Sequence, residues 1–438
     1  MRDDTAAALL HDVAESQATW RQPSLVAGVV RDGEFAWWAA RGRVTTGDDN
    51  PPPDSDLQYR IGSLTKTLVA ISVLQCRDEG MLDLDDALAA HVGNVPFGDA
   101  TIRRLLTHSA GIPAEPNGPW WERHDGGDFD QLRLAVSAQP VALTSGRQHH
   151  YSNLGYALLG RLVEHHRRAP WFEVIHDLVL APLGMTRTTY APTAPAAHGW
   201  SVHPWTRQLD PEPSTDTRAM APAGQLWSTL RDLGRYAAFL LDPERAPTKI
   251  LTAKTLAEMR VAQSADPAEG LDGAYGLGLR LIARPGRARY GHTGSMPGFL
   301  AGLFVDPDQH TAAVTLSNAT TGGTPNLTHT LLDTVEQREP YLPQEWAPEP
   351  DVPEAADLLG PWHWGDTPAL IEIGAGYARI RFAGQERSTR LEHAGNDCWR
   401  GLDGYLTGEP LTVHRDRDGA VTHLELATYR LTRAPYDR

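Results

Sequence analysis

Ser63 and Lys66 stand three residues apart in Ser63-Leu-Thr-Lys66, at the head of a stretch to Glu79 in which Leu64, Leu68, Ile71 and Leu74 fall near helical spacing. On a helix, side chains three apart share a face, their Cβ atoms about 5–6 Å apart. A serine hydroxyl attacks an acyl group poorly until a base takes its proton. A lysine at the start of a buried apolar helix can be that base, because desolvation lowers its pKa. Two further groups have suitable chemistry. Tyr151-Ser-Asn153 offers a phenol that can relay a proton and an amide that can orient a carbonyl. His292-Thr293-Gly294, followed by Ser295, sets an imidazole in a glycine-rich run, and a glycine on a sheet edge lets a substrate backbone come close. Each alone also has a plainer reading: a helix N-cap, a solvated lysine, a hairpin turn with a surface histidine.

The elements that must position these groups follow from pattern. Residues 24–30 and 34–40 are β-prone runs around Arg31-Asp32-Gly33, and Asp-Gly is a hairpin signal. Helices are predicted over Ser63–Glu79, Leu154–His166 and Thr229–Leu241, and a second hairpin over 299–305 and 311–317. Strands at both ends with helices between predict an α+β fold: one antiparallel sheet fed from both ends of a domain, with helices packed on it and a helical lobe inserted. Residues 339–354 turn rich in proline and acid and read as a stiff linker. Beyond it, short β runs separated by glycine turns predict a small all-β barrel or sandwich. The expected domains are thus 1–338, a linker at 339–354, and 355–438.

Ser-x-x-Lys, Tyr-x-Asn and His-Thr-Gly in this order resemble the signature of the penicillin-binding-protein and β-lactamase serine hydrolases. Tyr59-Arg-Ile-Gly-Ser63, Leu105-Leu-Thr-His-Ser-Ala-Gly111, Leu180-Ala-Pro-Leu-Gly-Met185, Ala221-Pro-Ala-Gly224 and Tyr275-Gly-Leu-Gly278 are similar to the class C-like branch, over about residues 20–335. The resemblance implies a transpeptidase-like fold, with Ser63 as acylated nucleophile and Lys66 as its base. It implies that Tyr151 moves a proton to the leaving group and that Asn153 binds a substrate amide. His292, with Thr293 and Gly294, would polarise Tyr151 or bind substrate, and the backbone N–H groups of Ser63 and Ser295 would form the oxyanion hole. One departure is chemical: His292 replaces the lysine of Lys-Thr-Gly, removing a permanent cation from the site. Trp227, shortly after Ala-Pro-Ala-Gly, is expected on the cleft wall.

Composition sets limits. Forty Lys and Arg against 55 Asp and Glu give a net charge of −15, which argues against coating nucleic acid or anionic membrane. Cys76 and Cys398 make no disulfide framework. The pairs His149-His150 and His165-His166 lack the zinc-binding helical spacing, and no metal or cofactor is expected. No Gly-x-Ser-x-Gly elbow is present. The acidic start Met1-Arg2-Asp3-Asp4 and the broken apolar patch behind it do not fit an export signal, and no apolar run is long enough to span a membrane. The expectation is a soluble cytoplasmic protein.

A cytoplasmic location calls for a cytoplasmic acyl donor. Length, motifs and the C-terminal β unit are similar to penicillin-binding-protein-type thioesterases, whose barrel is lipocalin-like. That resemblance implies a stand-alone nonribosomal peptide cyclase, taking a peptidyl thioester with a C-terminal D-residue from a carrier protein and closing a head-to-tail macrolactam. Arg430 or Arg433, on the last strand, is expected to hold the incoming peptide. The alternatives are a related hydrolase of small peptides or esters, such as a D-stereospecific aminopeptidase or esterase, and a non-catalytic peptide sensor.

Overall fold

A computed structural model describes all residues except 45–50, 247, 266–269, 271, 343–344, 346, 348–352, 375–376, 385–386 and 436–438. Half of the linker expected at 339–354 thus lies outside the described residues. The chain divides into two units, Met1–Leu342 and Pro343–Arg438.

In the first unit, α1 (Asp3–Thr19) precedes the hairpin of β1 (Ser24–Arg31) and β2 (Glu34–Gly42). At its turn Asp32 has φ 51° and Gly33 φ 81°, two successive left-handed residues, which is why Asp-Gly stands there. The short β3 (Tyr59–Arg60) leads into α2 (Leu64–Asp78). A helical lobe follows, comprising α3 (Leu88–Val92), α4 (Ile102–Leu106), α5 (Phe129–Val136), α6 (Asn153–Arg167) and α7 (Trp171–Ile175). A side hairpin of β4 (Trp200–Val202) and β5 (Leu209–Pro211) comes next, and β6 (Trp227–Ser228) returns to pair with β3. After α8 (Leu230–Leu241) and α9 (Ala253–Met259) come β7 (Ser264–Ala265), β8 (Gly273–Tyr275), β9 (Arg280–Arg284), β10 (Arg287–Met296), β11 (Phe299–Asp306) and β12 (Thr311–Ser317). Helix α10 (Thr324–Arg338) closes the unit.

The main sheet is antiparallel, in the order β2-β1-β12-β11-β10-β9-β8-β7. Strands β1 and β12 pair from Leu25↔Ser317 to Arg31↔Thr311, so the two sequence-distant hairpins join. Side chains alternate across the sheet. Leu25, Ala27 and Val29 pack with Leu9 and Val13 of α1 and with Leu327 and Leu331 of α10. Val26 and Val30 belong to the other core, with Leu68 of α2 and Leu230 and Leu233 of α8. Covered on both faces, β12 is buried at every position, which explains its unbroken apolar run.

The second unit is a closed antiparallel barrel of β13 (Gly360–Trp364), β14 (Thr367–Gly374), β15 (Tyr377–Phe382), β16 (Ser388–Gly395), β17 (Cys398–Gly401), β18 (Pro410–Arg415), β19 (Val421–Leu426) and β20 (Tyr429–Thr432). Closure is made by His363↔Thr432 and Trp364↔Leu431. Trp362, Ile371, Ile380, Leu391, Trp399, Leu424 and Leu431 fill its interior. The α+β sheet-and-helix unit and the lipocalin-like barrel are the fold classes the sequence predicts. Cys76 and Cys398 are both free thiols.

Candidate active site

Ser63 sits at the N-terminus of α2 in helical conformation, and its side chain does not cap the helix. Instead Ser63 Oγ accepts a hydrogen bond from Lys66 Nζ at 2.8 Å. Every residue from Leu64 to Cys76 is buried, so the lysine amine lies among apolar neighbours. Burial lowers its pKa to about 7, against an opposing pull from the carboxylates of Glu115 and Glu122. Lys66 Nζ also donates to Asn153 Oδ1 at 2.7 Å and to the Ala223 carbonyl at 2.6 Å.

Tyr151 precedes α6, and its hydroxyl lies near Ser63. Its ring centroid is 5.0 Å from Lys66 Nζ. Burial raises the phenol's pKa, so Tyr151 keeps its proton at neutral pH and can donate it, while Lys66 is tuned to accept one. Asn153 is the first residue of α6, after the N-cap Ser152, whose Oγ accepts the Gly155 N–H at 3.0 Å. Its amide is engaged at both ends: Oδ1 takes the Lys66 bond, and Nδ2 donates to Glu115 Oε1 at 2.6 Å. It thus steadies the lysine from within the site, where the family resemblance leads one to expect a contact to substrate.

His292 lies on β10, its ring centroid 6.1 Å from that of Tyr151. Nδ1 is hydrogen-bonded to the Thr293 carbonyl, which can only accept, so Nδ1 holds the proton. Nε2 then accepts from the Tyr275 hydroxyl at 2.8 Å. Burial, aided by the charge of Lys66, lowers the His292 pKa to about 3, and the ring is neutral. Its link to Tyr151 is through ring packing, and both nitrogens are used elsewhere.

Strand β9 pairs with β10 only as far as Arg280↔Gly291. Among the described strands, His292–Met296 therefore has a partner on one side only, β11, which leaves an edge that an extended acyl chain can meet. Thr293 Oγ1 is 3.4 Å from Arg280 Nη1. Ser295 is exposed. The strand lies close under the chain leading to Ser63: a Cβ on Gly294 would sit 2.0 Å from the Ile61 carbonyl oxygen, and one on Gly62 would sit 2.5 Å from Ser295 N. The backbones at Ser63 and Ser295 are thus brought together, as a pair of oxyanion donors requires.

Glu115, Tyr275 and His108 escape a reading by residue type. Glu115 Oε2 accepts from Trp121 Nε1 at 2.6 Å, and burial raises its pKa. Trp121 also borders a cavity of about 600 Å³ lined by Pro116, Pro119, Leu132, Arg218 and Met220. Glu115 sits in a proline-rich loop with no periodicity; the stretches holding His108 and Tyr275 were visible only as part of the resemblance.

Two expected contacts, those of Trp227 and Arg433, are corrected. Trp227 is 2% exposed, and its ring meets Phe299 edge-on at 5.1 Å, so it belongs to the core rather than the cleft wall. Arg433 stacks over the Trp362 ring at 3.8 Å and donates to the carbonyls of Asp357, Leu359 and Pro361, at 2.7, 2.9 and 3.1 Å. It clamps the barrel's closing strands and does not offer its guanidinium to a peptide. Arg430 is exposed and stands opposite Glu425 in the β19–β20 register. Among the described residues, no group of His, Cys, Asp and Glu is placed to hold a metal, and no helix is long and apolar enough to cross a membrane.

The β-lactamase family model matches residues 11–336, and the chain belongs to that family of serine hydrolases. A domain of unknown function matches residues 351–433. Penicillin-binding protein 4 of Amycolatopsis lactamdurans is 30% identical over 287 residues, 60% of this chain and 73% of that protein. Beta-lactamase-like protein 2 of Dictyostelium discoideum is 29% identical over 54% of this chain, which spans 45% of that protein's length. Among solved structures, SurE with D-Leu is similar over 99% of this chain and 100% of its own, with a TM-score of 0.62 and 24% identity. A D-stereospecific amidohydrolase from Streptomyces covers 76% of this chain and 98% of its own, at TM-score 0.62 and 25% identity. Fold and family together place the chain in the penicillin-binding-protein and β-lactamase superfamily.

Proposed function

We propose that this enzyme accepts a peptidyl thioester ending in a D-residue, holds the peptidyl group as an ester on Ser63, and releases it as a head-to-tail macrolactam. The observation behind the reading is the 2.8 Å contact between Ser63 Oγ and a lysine amine whose pKa has fallen to about 7. Neutral Lys66 takes the Ser63 proton as Oγ attacks the thioester carbonyl, and the backbone N–H groups of Ser63 and Ser295 receive the oxyanion. As the C–S bond breaks, Tyr151 gives its proton to the departing sulfur and regains one from Lys66. The peptide's own N-terminal amine then attacks the ester carbonyl; the same pair takes the amine's proton and delivers it to Ser63 Oγ as the acyl C–O bond breaks.

The D-configured donor is supported by the D-Leu in the SurE structure and by the D-stereospecificity named for the amidohydrolase. Likeness over both units supports the cyclase reading, since the SurE structure matches the barrel as well. The amidohydrolase favours a second outcome, hydrolysis, because it is similar to this chain over 98% of its own length at 25% identity. Purified protein incubated with a linear peptidyl thioester bearing a C-terminal D-residue decides between them by mass. Cyclisation yields a product lighter than the free acid by one water; free acid alone defeats the cyclase reading and leaves the hydrolase.

A further inference from the structure

The phenol of Tyr151 must point at Ser63, yet the segment that carries it, residues 149–152, is irregular and precedes a helix. Loops of that kind do not fix a side chain by themselves, so something must. One residue makes bonds on both sides of Tyr151. His150 N–H donates to the His108 carbonyl at 2.7 Å, and Ser152 N–H donates to His108 Nδ1 at 3.0 Å. The His108 ring then lies against the Tyr151 ring, with centroids 4.1 Å apart and planes tilted by 33°.

His108 is itself held in a way that a merely space-filling residue does not need. It adopts φ 53°, a left-handed conformation uncommon outside glycine, asparagine, aspartate and histidine. It is 1% exposed and boxed by Tyr156 and Tyr275, whose ring centroids lie 5.2 and 4.6 Å away. Because Nδ1 accepts a backbone N–H, the proton of the neutral ring is on Nε2, and that atom is buried without a hydrogen-bond partner. An unpartnered buried N–H is costly, and an apolar residue of the same shape would avoid that cost. What the imidazole supplies in return is the acceptor for Ser152.

We infer that His108 is a positioning residue for the acyl-transfer step: its carbonyl and Nδ1 clasp the chain on either side of Tyr151, and its ring backs the phenol, holding the hydroxyl on Ser63. The inference rests on the reading of Ser63 as nucleophile and Tyr151 as its proton partner.

The test compares wild type, His108→Phe and His108→Asn in their reaction with a fluorophosphonate that labels active serines, read as the limiting rate of labelling and the concentration for half-saturation. Phe keeps a ring beneath Tyr151 but removes the acceptor. Asn tolerates the left-handed backbone and brings an oxygen near the place of Nδ1. The expected result is a limiting rate lower by about tenfold or more in His108→Phe with half-saturation within about twofold, and recovery of most of the rate in His108→Asn, since small misplacement of a reacting group costs rate rather than binding. A Phe variant as fast as wild type, the two variants slowed alike, or an effect confined to half-saturation overturns the inference. If His108→Phe does not fold, imidazole nitrogen shifts of the wild-type protein decide: an unprotonated, hydrogen-bonded Nδ1 is required, and a protonated Nδ1 overturns the clasp. Failure of the wild type to be labelled at Ser63 is a separate result, which defeats the parent reading.

Discussion

At the scale of residues, the site is a division of labour set by burial. The same desolvation that drives Lys66 down to about 7 drives the Tyr151 phenol up, so one group is ready to take a proton and the other to give one. A lysine with a lowered pKa is active in its neutral form, which predominates above the pKa. The rate of Ser63 acylation should therefore fall as pH drops below about 7 and level off above it. The carboxylate of Glu115 raises the Lys66 pKa. Glu115→Gln removes that charge, and the acid limb of the pH–rate profile should move to lower pH; a limb that moves upward contradicts the assignment of Lys66 as base. Ser63, Lys66, Tyr151 and His292 are legible in the sequence because three short motifs in that order resemble a family signature; alone, each has a plainer reading. Glu115 and His108 are not, because each acts through a bond to a neighbour's amide or backbone across a loop. Trp227 was misplaced because a tryptophan in a two-residue strand gives no alternation to show which way it faces.

At the scale of elements, close approach of backbone to backbone builds the site. Gly294 lets β10 pass under Ile61, and Gly62 lets the turn into α2 meet Ser295. A methyl at 294 would lie 2.0 Å from a carbonyl oxygen, with only backbone to move aside. Gly294→Ala should cost about 1–3 kcal/mol or more in denaturant unfolding and should slow Ser63 labelling as well, because the oxyanion donors shift together. By contrast, Leu331→Ala in α10 should destabilise by about 2–5 kcal/mol through the cavity it leaves, without moving the acid limb of the pH profile. Leu331 is fully buried on the face of the sheet opposite α2. The two hairpins and helices α2, α6 and α8 follow their sequence patterns closely. Helices α1 and α10 do not, since Leu9 and Val13 form a narrow stripe and α10 is interspersed with threonines. Their helicity is secured by packing on the sheet, which a local pattern does not contain.

At the scale of the molecule, the chain divides between Leu342 and Pro343, within the stretch rich in proline and acid. The barrel's last strand is locked by Arg433, through three backbone carbonyls and the Trp362 ring. Arg433→Ala should lower the barrel's stability by about 1–2 kcal/mol while leaving the rate of Ser63 labelling unchanged. A change in that rate without loss of stability would restore the arginine to substrate binding. The most direct test of the whole account is to trap the intermediate. Protein mixed with a peptidyl thioester bearing a C-terminal D-residue, quenched in acid and digested, should yield the peptidyl group on the peptide containing Ser63, with none formed by Ser63→Ala. A peptidyl group on any other residue, or turnover that persists in Ser63→Ala, contradicts it.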